Sequence, residues 1–163
     1  MFEQEAIKML AEGRVIFPLT DFKGNLTGIA ARTHKRDEPT YKIIGSGIFG
    51  NTKTNRDVLI ISEGVAQVLK AWQMRSDNVL GVINYKTLLS DGYLRQLVEL
   101  NKKIILFFDN DELGQNESRI VFDKMKSANI EVYEFKSNKA VDLQDYLEKG
   151  YTIKDLIERC ISD

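Results

Sequence analysis

The spacing of apolar positions changes character once along the chain. Residues 2 to 12 carry Phe2, Ala6, Ile7, Leu10 and Ala11 at helical spacing and end at Gly13, which predicts a short amphipathic helix. RVIFPLTDFKGNLTGIAART (14–33) then reads as strand, a tight turn over Asp21–Asn25, and strand, a hairpin. Residues 34–56 are rich in Gly, Lys, Arg, Thr and Asn with only brief apolar snatches, and predict mostly loop. From Val58 onward four short apolar runs recur: VLIIS (58–62), NVLGVI (78–83), KIILFF (103–108) and IEVYEF (130–135). Helical patterns separate and follow them at about 64–75, 90–100, 114–128, 142–149 and 153–161. Strands alternating with helices predict βαβ units around a parallel sheet. VLIIS and KIILFF lack alternation, as strands covered on both faces do.

Composition narrows this picture without redirecting it. The 163 residues are 43% hydrophobic and 29% charged, ordinary for one domain, or for a domain with a small satellite. A single cysteine, Cys160, excludes an internal disulfide; with one histidine, His34, it excludes a structural zinc site made by this chain alone. No apolar run approaches the ~20 residues that span a bilayer, and the start MFEQEAIKML is unlike a signal peptide. Charge divides the chain where the rhythm does. Between Arg14 and Arg56 eight Lys/Arg face three acids, whereas from Asp57 onward 14 Lys/Arg face 18 Asp/Glu. A basic front and an acidic back suit a phosphate-binding surface beside a cation-binding one, and equally two solvated surfaces.

The acids fall where parallel α/β sheets place their chemistry, at the carboxyl ends of strands. Glu63-Gly64 follows VLIIS, Asp109-Asn110-Asp111 follows KIILFF, and Asp142 and Asp145 follow the last run in AVDLQDYL. Each acid alone is also what a helix N-terminus favours. Three strand ends all closing in carboxylates repel one another unless a cation sits between them, and Mg²⁺ is the hard ion that oxygen ligands and phosphate share. Elsewhere, Trp72 shares a helical face with Val65, Val68 and Leu69, and Cys160 shares one with Leu156 and Ile157; both read as core. Tyr41 and Phe49 read as base-stacking or hairpin-packing residues, and His34 as a loop residue.

Glu63-Gly64 and the DxDxxG run Asp109–Gly114, about 45 residues apart, resemble the two signatures of the Toprim domain shared by DnaG-type primases, topoisomerases and several nucleases. GRVIFPLTDFKGNLTGIAART (13–33) is similar to the strand–turn–strand that opens the catalytic core of bacterial primases. EPTYKIIGSGIFGN (38–51) looks like a shortened form of the loop that follows it, and AVDLQDYL (140–147) like a later metal-ligand motif. The likeness runs over roughly residues 12–150.

The resemblance implies an α/β Toprim fold over 57–163, with a central, largely parallel four-stranded sheet flanked by helices. A small basic subdomain containing the hairpin, 1–56, precedes it. It implies RNA-primer synthesis from ribonucleoside triphosphates on single-stranded DNA, with Asp109, Asp111 and Asp142 holding one or two Mg²⁺ (or Mn²⁺). Glu63 serves as ligand or general base, and Asp145 stands in for a further ligand beside Gln144. Arg14 and Lys42, then Arg32 and Lys53, correspond to residues that grip template and nucleotide. The implied setting is the cytoplasm of a bacterial or phage-infected cell, as a phage or mobile-element primase, a fragment or half of a split enzyme. A replicative helicase or a separate zinc-binding primase subunit would be its partner. The first motif usually runs Glu-Gly-x-x-Asp, but here Gln67 replaces the acid. That departure keeps two other readings open, a Toprim nuclease and a Toprim nucleic-acid-binding or inhibitory partner with weakened catalysis.

Overall fold

Fourteen regular elements and one 3₁₀ turn build the protein in the computed structural model, which describes residues 1–161. Helix α1 (Phe2–Ala11) leads into the hairpin β1 (Val15–Thr20) and β2 (Leu26–Arg32). Strands β3 (Tyr41–Gly45) and β4 (Ile48–Gly50) follow, in the stretch whose composition suggests loop. The alternating half comprises β5 (Val58–Glu63), α2 (Ala66–Gln73), β6 (Val79–Val82), a 3₁₀ turn (Tyr85–Leu89), α3 (Asp91–Leu100), β7 (Lys103–Phe107), α4 (Glu112–Ser127) and β8 (Val132–Glu134). Helices α5 (Leu143–Glu148) and α6 (Ile153–Ile161) close it.

The strands form one eight-stranded sheet in the order β3-β2-β1-β4-β6-β5-β7-β8. The last four pair in parallel, as the βαβ rhythm requires. The first four pair antiparallel and join them through β4, which sets Ile48 opposite Val82 and Phe49 opposite Gly81. Strand β4 is only three residues long, too short to leave a periodic signal, and it forms because Ile48 and Phe49 bury themselves between neighbours.

Helices cover both faces of the parallel half. Leu59, Ile61, Ile104 and Leu106 meet Leu94 and Leu97 of α3 and Val121 and Met125 of α4 on one face. Ile60, Ile105 and Phe107 meet Val68 of α2, Leu143 and Tyr146 of α5 and Leu156 of α6 on the other. Burial on both faces explains why neither run alternates. Trp72 is not core: it is 41% exposed and leans against Phe49, with ring centroids 5.4 Å apart. Cys160 is half-buried beside the cluster of α2, α5 and α6, as its helical face requires.

The hairpin turn is docked on α3. Phe22, 2% exposed, enters the α3–α4 core, and its N–H donates to Gln96 Oε1 at 2.8 Å. Gln96 Nε2 in turn donates to Asp21 Oδ2 at 3.2 Å, and Lys23 pairs with Glu99 at 3.0 Å. Asp21 Oδ1 accepts the backbone N–H groups of Lys23 and Asn25, each at 2.9 Å, which closes the turn.

Candidate metal centre

Two glycines let the strand ends approach the helices that follow them. A side chain at Gly114 would lie 2.4 Å from the Asp109 carbonyl, so only glycine lets the first turn of α4 close over the end of β7. Gly64 has φ +77 and turns the chain sharply after Glu63. Glu63 ends β5 and accepts the Asp109 N–H on Oε2 at 3.3 Å, which ties the two strand ends together. Asn110 then stitches the β7 loop to the loop after β8. Its N–H donates to the Val141 carbonyl at 2.6 Å and its Nδ2 to the Ser137 carbonyl at 2.5 Å. Asp142 is thereby brought beside Asp109.

Asp111 and Asp142 are both helix N-caps. Asp111 Oδ1 accepts the Gly114 N–H at 2.7 Å, and Asp142 Oδ1 accepts the Asp145 N–H at 2.7 Å. Capping engages one oxygen of each carboxylate and leaves the other available. The structural and functional readings of these acids therefore coexist.

The electrostatics show how closely the acids gather. Burial pushes the Glu63 carboxyl up to about 7, helped by a hydrogen bond with the Glu117 carboxyl and by the charges of Asp109 and Glu117. Asp109 is also raised, first by burial and then by the charges of Asp142 and Asp111. Asp109 Oδ1 is buried with no hydrogen-bond partner. Asp145 is not brought in. It pairs with Lys149 at 2.7 Å and accepts the Val141 N–H at 3.1 Å, and these contacts hold its carboxyl below the usual range.

Among the described residues, no three His, Cys, Asp or Glu side chains converge into a finished metal cage. Mg²⁺ needs no such cage, because it binds through one or two carboxylates and completes its shell with water and substrate phosphate. A set of mutually repelling carboxylates, half-buried at Glu63, Asp109 and Asp142 and exposed at Asp111, with an orphaned acceptor oxygen fits that ion. Glu63, Asp109, Asp111 and Asp142 are the residues that would hold it. Glu117 is the member that the strand-end pattern does not reach. It sits three residues after Gly114, on the helix face already pressed against Asp109, and helical spacing from that glycine is the signal that points to it.

The basic candidates separate by strand face. Arg14 is 2% exposed, and its guanidinium reaches Glu38 at 2.5 Å, Glu12 at 3.3 Å and the Ala31 and Pro39 carbonyls. It is an interior cross-link, contrary to its expected role as a surface grip. Lys42 pairs with Glu12 at 2.6 Å and shares its side of β3 with Ile44, which packs toward α1. Lys53 lies against the hairpin turn at Gly24. Arg32 pairs across the ladder with Tyr41 and holds its guanidinium over that ring, 5.9 Å from the centroid. The Tyr41 hydroxyl lies 3.8 Å from where a Gly64 side chain would begin, which brings Tyr41, with Arg32 over its ring, to the Glu63-Gly64 corner. A groove of about 450 Å³ adjoins them, lined by Ile43, Ile83, Asn84, Tyr85, Lys86 and Glu117. A hollow of about 680 Å³ between α3 and α4 contains none of the strand-end acids.

A carboxylate cluster at the ends of a parallel sheet, behind DxDxxG and Glu-Gly corners, defines a Toprim-type centre. Residues 60–147 match the Toprim-like family, and the chain belongs to it. A DNA primase of Clostridium acetobutylicum is 26% identical over 163 aligned positions, 91% of this chain and 27% of that protein. One of Lactococcus lactis is 25% identical over 159, 88% of this chain and 24% of its own length. The chain thus spans about a quarter of these relatives. Among solved structures, the Aquifex aeolicus primase (zinc-binding and RNA polymerase domains) superposes with a TM-score of 0.75 at 20% identity, over 90% of this chain and 40% of that one. The E. coli primase catalytic core gives 0.74 at 16%, over 90% and 52%. The primase fragment of the bacteriophage T7 primase-helicase gives 0.59 at 19%, over 83% and 57%. The fold is that of a DnaG-type primase core.

Proposed function

We propose that this chain is the metal-dependent nucleotidyltransferase core of a DnaG-type primase, joining ribonucleotides on a single-stranded DNA template. The observation that carries the reading is the pairing of two opposed surfaces. Glu63, Asp109, Asp111 and Asp142 gather at the strand ends, and Arg32 and Tyr41 face them from β2 and β3. A divalent cation bound by those acids would neutralise triphosphate charge and favour the attacking 3′-hydroxyl. Tyr41 and Arg32 offer a stacking surface and a cation to the nucleic acid, and the groove at Asn84–Lys86 offers a second cation beside the acids. Burial and neighbouring acids lift the Glu63 carboxyl to about 7 without a cation, and beside a bound one Glu63 would serve as ligand or general base. The primase names of the relatives support a zinc-binding module or a helicase as partner, since the Aquifex protein carries the first and the T7 protein the second. No described helix is long and apolar enough to cross a membrane.

The test is primer extension. The protein is incubated with Mg²⁺ or Mn²⁺, a primed single-stranded template and labelled ribonucleotides, beside Asp109→Ala and Asp111→Ala. Template-directed extension that both changes abolish supports the reading. Shortening of the nucleic acid without added nucleotides makes the protein a nuclease, and tight binding with neither reaction makes it a non-catalytic partner.

A further inference from the structure

Resting on the metal-site reading above, we infer that Glu117 is a supporting carboxylate of the cation site, beside Glu63, and supplies from α4 the charge that Gln67 withholds on α2. Gln67 lies in the first turn of α2, a helix with neither an acid nor a side-chain cap at its start. It is 8% exposed, and its Oε1 has no hydrogen-bond partner. That oxygen lies beside the glycine that follows Glu63, 3.3 Å from where a Gly64 side chain would begin. Asp109 Oδ1 is the second buried acceptor left without a donor. Both buried acceptors stand at residues bordering the Glu63-Gly64 and Asp109 strand ends, and a cation is what such acceptors would serve.

Glu117 approaches this point from the other side. It is one helical turn beyond Gly114, whose missing side chain lets α4 touch the Asp109 carbonyl. Its carboxyl is within hydrogen-bonding reach of Glu63. The next residue, Ser118, is buried and fixed by a 3.0 Å bond to Glu134, which sets the rotation of this helix face. Lys86 and Asn84 share a groove with Glu117, yet no described cation pairs with it. A carboxylate held half-buried against another acid, unpaired and beside orphaned oxygens, is placed to serve an ion.

The exchange is tested by Mn²⁺ titration of the 163-residue chain, followed by calorimetry and by the loss of the free-ion electron spin resonance signal. Wild type, Glu117→Gln, Gln67→Glu, the Gln67→Glu/Glu117→Gln double variant and Asp109→Asn as the binding-null control are compared. Glu117→Gln is expected to weaken Mn²⁺ about 10- to 100-fold, the range for residues that support metal ligands. Gln67→Glu, which puts a carboxylate where the orphaned amide oxygen now sits, is expected to restore the double variant to within about threefold of wild type. The melting temperature of Glu117→Gln in EDTA should equal or exceed wild type, because a repelling charge has been removed. Unchanged affinity in Glu117→Gln, a lowered melting temperature, or failure of the rescue each overturns the exchange while leaving the metal site itself intact. Absence of Mn²⁺ binding in wild type overturns the metal-site reading and this inference together.

Discussion

Charge is concentrated in two places in this fold, and the two are handled in opposite ways. Around Arg14, cations and carboxylates alternate: the guanidinium meets Glu12 and Glu38, Lys42 meets Glu12, and Lys35 meets Glu38. Each carboxylate there is held below its ordinary range, Glu12 first by its bond from Lys42 and Glu38 first by its bond from Lys35. Around Asp109 there is no such alternation. Glu63 and Asp109 are pushed up by burial and by other acids, and an acceptor oxygen is left empty. The first cluster is complete within the chain and serves to pin the loop after β2 to the hairpin. The second is incomplete within the chain, and its unfavourable electrostatics are what a cation and a phosphate would relieve.

Substitution should break this contrast most sharply. Asp109→Ala is expected to lower nucleotide incorporation by about a hundredfold, the upper end of the roughly 10- to 100-fold that supporting residues at metal sites cost. Its melting temperature in EDTA should stay level or rise. Arg14→Ala should do the reverse. Removing the guanidinium strands the Ala31 and Pro39 carbonyls and costs about 2 kcal/mol, which for a chain of this size lowers the melting temperature by roughly 4–8 °C. Mn²⁺ affinity should be unaffected. Differential scanning calorimetry with a filter-binding extension assay reads both, and a thermally damaged Asp109→Ala would contradict the contrast.

Added metal should stabilise one cluster and leave the other untouched. Mg²⁺ at about ten times its dissociation constant stabilises by about 1.4 kcal/mol through binding linkage. The corresponding rise in melting temperature is about 3–6 °C. Asp109→Asn should abolish that rise, whereas Arg14→Ala should retain it from a lower baseline. An equal response in wild type and Asp109→Asn would place the ion elsewhere.

The pH dependence of stability in EDTA should carry opposite signs for the two clusters. Glu63, raised to about 7 when folded against 4.5 unfolded, stabilises fully below pH 4.5, and that contribution is lost as pH climbs through 7. Glu12 and Glu38 are lowered when folded; they stabilise above pH 4.5, and that contribution is lost as pH falls below it. Glu63→Gln should therefore flatten the decline between pH 4.5 and 7 in urea melts, and Glu38→Gln should flatten the loss on the acid side. A wild-type curve that rises steadily from pH 5 to 7.5 would show that Glu63 ionises normally.

The same contrast marks what could be read before the fold was known. The parallel half was legible because burial on both faces leaves runs such as KIILFF unbroken, and because Asp109 and Asp111 must stand at the end of such a run. Strand β4 was not, since three residues carry no period. Arg14 follows a glycine at the start of a strand and looks like any surface cation; only the return of the 31–39 segment over it makes it interior. Glu117 lies on an amphipathic helix where an acid ordinarily means solvent, and only its spacing from Gly114 distinguishes it. Which of Arg32 and Lys42 faces the acids depends on strand parity, and parity is fixed by the pairing of Arg32 with Tyr41.

That last point yields the smallest expected effect and the finest test. Arg32 stands with Tyr41 toward the acids, whereas Lys42 stands on the opposite side of β3 and is already paired with Glu12. A phosphate contact by Arg32 contributes about one unit to the slope of log affinity against log salt. Arg32→Ala should therefore reduce that slope by about one, slightly less for a single strand, and weaken oligonucleotide binding several-fold at low salt. Lys42→Ala should leave the slope unchanged, because its charge is already spent on Glu12 and its side chain points toward α1. Fluorescence anisotropy with a labelled single-stranded DNA at several salt concentrations separates the two. If Lys42→Ala moved the slope and Arg32→Ala did not, nucleic acid would cross the α1 face of the hairpin, and the acids would be reached from the side opposite to Tyr41.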